Sequence, residues 1–149
     1  MAESYTWRLI KFAEADFLKC CGSRRWASAM AAHSFPNAKE VMATADSIWW
    51  GLSPEDWQEA FAMQRSMAAR TDLSEATPSV MTEIVERAIT YEQRFGWPFV
   101  ATAVGKTATY VLRSLQERLP GEPAAELRVS AEQQLQITHN RLKRLLARQ

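Results

Sequence analysis

The sequence predicts an all-α fold, a single-domain helical bundle of about seven helices with one short extended segment near residues 97–104. Three observations carry this reading. Only five glycines are present, and no run of alternating β-branched residues offers material for a large sheet. Helix-start signals recur along the chain. Between them, apolar residues return at three- and four-residue spacing. At 149 residues and 47% hydrophobic content, the chain is long enough to bury a sizeable core. No repeat, linker or low-complexity stretch divides it, so residues 1–149 read as one domain.

The elements follow in order. Ser23 is placed to cap the helix that begins at "RRWASAM". Asn37, with Glu40 three residues later, reads as a capping box opening "AKEVMATADSIWW". Ser53-Pro54-Glu55-Asp56 combines a capping serine, proline at the first helical position and acids at the positive end of the dipole. Thr77-Pro78 opens another helix, with Val80, Ile84, Ala88, Tyr91 and Phe95 on one face and Gly96 as its stop. "GWPFVATAV" differs in kind: Pro98 interrupts any helix, and the apolar stretch after it reads as buried and extended. Gly105-Lys106-Thr107 then leads into "ATYVLRSLQERL", which Pro120 and Gly121 break. The last helix starts near Pro123, with Leu127, Ala131, Leu135, Leu142 and Leu145 as its apolar face.

Composition excludes several function classes. A net charge of +1 supplies no basic field for nucleic acid or acidic lipid. No apolar run approaches the ~20 residues of a membrane span. The first residues, "MAESYTWRLIKFAEADF", lack a signal-peptide core, and "LLARQ" is not a peroxisomal signal. A soluble, cytoplasmic protein is expected. Cys20 and Cys21 are the only cysteines. Two thiols with His33 and His139 apart from them do not make a four-ligand zinc site, and a disulfide between neighbours closes almost no loop. They read as small apolar residues filling a tight helix entry, and no metal is expected.

Other candidate sites are weighed the same way. "GKT" resembles the end of a phosphate loop, but Val100 stands where the first glycine is required. Thr107 then reads as the cap of the next helix. Trp26, Trp49, Trp50 and Trp57 sit at helical spacing and read as core, while Trp97, on a turn, is a candidate pocket wall. Lys143, Arg144 and Arg148 suit the negative end of the last helix. Arg141 lies near the inward face, one residue before Leu142, and a partly buried arginine calls for an anion from protein or ligand. His139 falls roughly 200° around the helix from Arg141, so the two do not converge. His139 and His33 read as exposed.

Four blocks in order add a resemblance: "FLKCCGSRRWASAM", "ADSIWWGLSPEDWQEAFA", "YEQRFGWPFVATAVGKT" and "ELRVSAEQQLQITHNRL". Together they resemble the OHCU decarboxylases, the vicinal-cysteine variant being similar to plant and some bacterial members. The resemblance implies a single all-helical domain, often a homodimer, working without metal or organic cofactor in the ureide branch of purine degradation. The implied reaction is decarboxylation of a cyclic ureido carboxylate to (S)-allantoin. Loss of CO2 leaves an electron-rich centre that a ring C=N absorbs, so the protein must orient the carboxylate and hydrogen-bond the ring.

The implied site residues carry over one at a time. Arg141, in "QITHNRL", matches the family's C-terminal arginine. Phe99, Val100, Ala101 and Thr102 match an extended segment whose main-chain groups bind the heterocycle. Gly105-Lys106-Thr107 matches a Gly-Lys-Ser turn. Gln64, in "AMQRSM", stands where the family has its catalytic histidine; glutamine hydrogen-bonds but cannot shuttle a proton near neutral pH. Thr82-Glu83 resembles the start of the family's Glu-Gln motif, which makes Glu83 a candidate, although the register counted back from Tyr91 places it on the following helix. The resemblance thus leaves three readings: an enzyme of the family's class, an enzyme repurposed for another cyclic anionic substrate, or a non-catalytic binding or structural homologue.

Overall fold

A computed structural model describes residues 8–68, 77–102 and 107–148. It contains α1 (Glu14–Cys20), α2 (Arg24–Ala31), α3 (Ala38–Trp50), α4 (Pro54–Ala68), α5 (Pro78–Phe95), α6 (Ala108–Arg118) and α7 (Pro123–Ala147). Among the described residues there is no strand, only an isolated antiparallel bridge between Ile10 and Phe35. The all-α expectation holds.

The start signals act as anticipated. Ser23 Oγ accepts from the Trp26 amide at 3.2 Å, and Asn37 Oδ1 from the Glu40 amide at 2.9 Å. Thr77 and Thr107 cap α5 and α6 in the same way. Ser53 and Asp56 are reciprocal: the Ser53 hydroxyl donates to Asp56 Oδ2 at 3.0 Å while accepting from the Asp56 amide. Such caps satisfy amide donors that a helix start leaves without partners. α5 stops at Gly96, which adopts a left-handed conformation with φ of 90°.

α7 is the spine against which α1, α3 and α4 pack. Two buried indoles and a partly buried one join these helices by donating to main-chain carbonyls. Trp26 Nε1 reaches the Ala45 carbonyl on α3 at 3.1 Å. Trp49 Nε1 reaches Ala131 on α7 at 3.0 Å. Trp57 Nε1 reaches Trp49 at 2.9 Å. Each ring buries a large apolar area while its one donor finds an acceptor. α5 and α6 form a second layer, joined to α7 at Glu126, where the Tyr91 hydroxyl and the Arg118 guanidinium converge.

The inward face of α7 differs from the expected apolar stripe. Ala131, Leu142 and Leu145 are buried as anticipated, but Leu127 and Leu135 are only partly buried. Between them run Glu126, Ser130, Gln134 and Thr138, all buried, at a strict four-residue spacing. Hydrophobicity alone could not assign these positions inward, because each is buried through specific hydrogen-bond partners.

Candidate functional site

The polar seam of α7 organises two adjoining clusters. The first lies between α7, α4 and the corner joining α1 to α2. Gln64, at the buried face of α4, donates from Nε2 to Gln134 Oε1 at 3.0 Å. Gln134 Nε2 in turn donates to Thr138 Oγ1 at 3.1 Å. Thr138 also lies beside the buried Cys21 thiol. On its other side, Gln64 Oε1 accepts from Arg141 Nη2 at 3.4 Å, and Arg141 Nη1 donates to the Cys20 carbonyl at 3.3 Å. The chain of hydrogen bonds therefore runs from Arg141 through two amides to the Thr138 hydroxyl.

Gly22 closes this corner. A Cβ there would sit 2.8 Å from Met63 Cβ, so the glycine lets the α1–α2 turn seat directly against α4, one residue before Gln64. Cys20 and Cys21 are free and buried. Burial pushes the Cys20 thiol up to about 11 and the Cys21 thiol up to about 12, the opposite of what a nucleophilic or redox cysteine requires. The structure supports their reading as scaffold.

Arg141 is half-buried, and both its partners are neutral oxygens. Among the described residues no carboxylate pairs with it. Desolvation lowers its pKa from the ordinary arginine value, and arginine nevertheless remains a cation at neutral pH. A cation held partly out of water without a counter-charge is a natural anchor for an anionic ligand. His139, two residues earlier, faces α3 and pairs with Asp46; it is half-buried, a correction to its expected exposure. His33 is exposed.

The second cluster holds the segment after Gly96, described as far as Thr102 and neither helix nor strand. Trp97, at 6% exposure, is core; its indole donates to Ser130 Oγ at 3.1 Å and Tyr91 Oη at 3.2 Å. This differs from the expected pocket wall, because its polar edge is engaged by the protein itself. Phe99 stacks under the Arg118 guanidinium at 4.4 Å. The Val100 carbonyl accepts from Arg118 Nη1 at 2.6 Å, and the Thr102 amide donates to Gln133 Oε1 at 2.8 Å. Two of the segment's main-chain groups are thus already used. The Ala101 main chain makes no hydrogen bond among the described residues, and the buried Thr102 hydroxyl also has no partner there. The Phe99 main chain and the Val100 amide likewise make no hydrogen bond among the described residues. Gly105 and Lys106 lie outside the described residues.

Glu83 does not join either cluster. It pairs with Arg87 one turn on, at 3.1 Å, and accepts from Gln116 of α6. Two residues that sequence reasoning missed are Gln134, which orients Gln64, and Arg118, which grips the extended segment. Their signal was the four-residue recurrence of polar side chains in "ELRVSAEQQLQIT" and an arginine at the end of α6, where the helix dipole already accounts for a basic residue. Among the described residues no group of three or more histidine, cysteine, aspartate or glutamate side chains could hold a metal ion.

An all-α bundle with a half-buried arginine that no carboxylate pairs with among the described residues, a buried amide pair and a proline-broken segment defines the class of helical domain. The comparisons specify it. The sequence pattern of the OHCU decarboxylases matches residues 62–143, and the chain belongs to the OHCU decarboxylase family. It is 28% identical over 157 residues to the uric acid degradation bifunctional protein TTL of Arabidopsis thaliana, covering 93% of this chain and 48% of that protein. The chain therefore spans about half the length of this curated relative. A crystal structure of OHCU decarboxylase in the presence of (S)-allantoin superposes with a TM-score of 0.78 at 30% identity, covering 89% of this chain and 97% of that one. A crystal structure of (S)-allantoin synthase gives 0.69 at 21% identity over 87% of this chain and 48% of that one, a likeness of fold. Among the described residues no helix is long and apolar enough to cross a membrane.

Proposed function

We propose that this chain binds a cyclic, anionic, ureido- or imidazoline-like small molecule in uric acid degradation, the process for which its Arabidopsis relative is named. The observation that carries the reading is Arg141, half-buried and without a carboxylate partner among the described residues. Its guanidinium anchors the ligand's carboxylate. The free main-chain groups of Ala101 and the Thr102 hydroxyl hydrogen-bond the ring. Trp97 and Phe99 fix the segment that presents them. Glu83 has no part in this arrangement.

Decarboxylation at this site needs no cofactor when the ring itself accepts the electron pair left by CO2. The protein contributes orientation and a fixed positive charge. Gln64 hydrogen-bonds but transfers no proton, so turnover proceeds without side-chain acid–base assistance at that position, a loss of about 10²–10⁴ in rate. A second reading, binding without turnover, is favoured by the lock that Gln134 places on Gln64.

The test couples urate oxidase and hydroxyisourate hydrolase to the protein and follows optical rotation. Accelerated (S)-allantoin formation supports the decarboxylase; only the uncatalysed, racemic rate supports binding without turnover. Titration with hydantoin-5-acetate, a stable cyclic ureide that keeps a carboxylate, decides the site. Arg141→Ala is expected to weaken binding at least about tenfold, the scale of one charge-assisted hydrogen bond. Unchanged affinity in a folded variant removes Arg141 from the site. Size-exclusion chromatography tests the homodimer that the family resemblance implies.

A further inference from the structure

We infer that Arg118 is a positioning residue that fixes the conformation of residues 97–102, the ligand-presenting segment of the candidate site. The segment has no sheet to hold it, and Pro98 keeps it out of any helix. Its shape must come from side chains, and Arg118 is where they meet.

The guanidinium serves four neighbours at once. Nε and Nη2 donate to Glu126 Oε2 at 2.9 and 2.6 Å. Nη1 donates to the Val100 carbonyl at 2.6 Å. Its flat face covers Phe99 at 4.4 Å, and Nη2 also reaches Ser130 Oγ at 3.1 Å. Glu126 is held on α7, buried, and accepts from the Tyr91 hydroxyl as well. The pair is largely excluded from water, with side-chain exposures of 13% and 3%, where charge-assisted bonds are stronger than at a surface.

The planar fork is essential to this arrangement. A lysine ammonium is a single point and cannot lie along the Glu126 edge, bond the Val100 carbonyl and cover Phe99 together. Arg118→Lys therefore keeps the charge and releases the segment. Arg94, whose Nη2 donates to the Gly121 carbonyl at 2.7 Å from an exposed position, is the control.

The importance of this placement for ligand binding rests on the function proposed above, so the experiment has two arms. The first needs no ligand: proton exchange is followed by NMR at the Thr102 amide and the Trp97 indole N–H, the two donors that tie the segment to α7. In Arg118→Lys both are expected to exchange about tenfold faster or more, as for loss of one charge-assisted bond. The Trp26 and Trp49 indoles should not change, and Arg94→Lys should change none of them. Equal acceleration everywhere, or none at Thr102 and Trp97, overturns the inference. If Arg118→Lys does not fold, Glu126→Gln, which keeps the shape and removes the charge, is read against the same criteria. The second arm titrates (S)-allantoin. A matching loss of affinity in Arg118→Lys supports the positioning role, and faster exchange with unchanged affinity overturns it. If the wild-type protein binds neither (S)-allantoin nor hydantoin-5-acetate, the proposed function fails while the exchange arm still decides whether Arg118 fixes the segment.

Discussion

At position 64 a single amide decides what chemistry the cluster can offer. Gln64 bridges Arg141 and Gln134, and both its oxygen and its nitrogen are engaged. Gln64→His would place an imidazole where the Gln134 oxygen can hold one ring N–H, leaving the second nitrogen toward Arg141. Fixing the tautomer in this way is what a general acid–base histidine requires. The variant is expected to raise the rate of (S)-allantoin formation about tenfold or more; an unchanged rate in a folded variant would show that proton transfer is not what position 64 lacks. The neighbouring thiols make a separate prediction. With Cys20 at about 11 and Cys21 at about 12, no more than about one thiol in a thousand is ionised at pH 8. A disulfide-exchange reagent should react with the unfolded chain and scarcely with the native one. Rapid stoichiometric labelling of the native protein would contradict the buried, inert reading.

Among the elements, two glycines mark where backbone geometry rather than side-chain chemistry builds the site. Gly96 sits at φ of 90°, so Gly96→Ala should cost about 1–2 kcal/mol from strain in the left-handed region. Gly22→Ala meets Met63 Cβ and forces the α1–α2 corner away from α4, an overpacking cost of about 1–3 kcal/mol. The two should differ in effect: Gly96→Ala disturbs the segment that begins at Trp97, and Gly22→Ala the surroundings of Gln64. Urea unfolding measures the costs, and a neutral Gly22→Ala would mean that the corner is not close-packed. Gly96 was readable in the sequence as a helix stop, and Gly22 stands next to the capping Ser23. That Gly22 is also a close contact was not readable, because Met63 lies 41 positions away in the chain.

The whole molecule carries its titration behaviour in its burial. Cys20, Cys21 and Tyr91 are all pushed up by desolvation, Tyr91 from 10 to about 12 with Glu126 adding to the shift. Each group keeps its proton in the folded state at pH values where the unfolded chain has released it. By linkage their contribution to stability is whole below about pH 9 and is lost as pH rises toward 12. The urea midpoint should therefore fall between pH 8 and pH 10.5, and a midpoint that rises over this interval would contradict the burial of these groups. The indole staples join α2 to α3, α3 to α7 and α4 to α3, so tryptophan fluorescence and helical circular dichroism should report one coincident transition in that series.

Local chemistry was legible in the sequence by itself. Caps at Ser23, Asn37, Ser53, Thr77 and Thr107, the stop at Gly96 and the break at Pro98 depend on neighbours within four residues. Helical class follows from them together with apolar spacing. The position of Arg141 near the inward face was legible for the same reason. Partnership was not. That Gln64 would meet Gln134, that Trp97 would spend its N–H inside the core, and that Arg118 would reach back 18 residues to Val100 are decided only when helices distant in sequence pack together. A polar side chain can be buried only where the fold supplies its partner, so the polar seam of α7, on which both clusters are built, belongs to the tertiary structure alone.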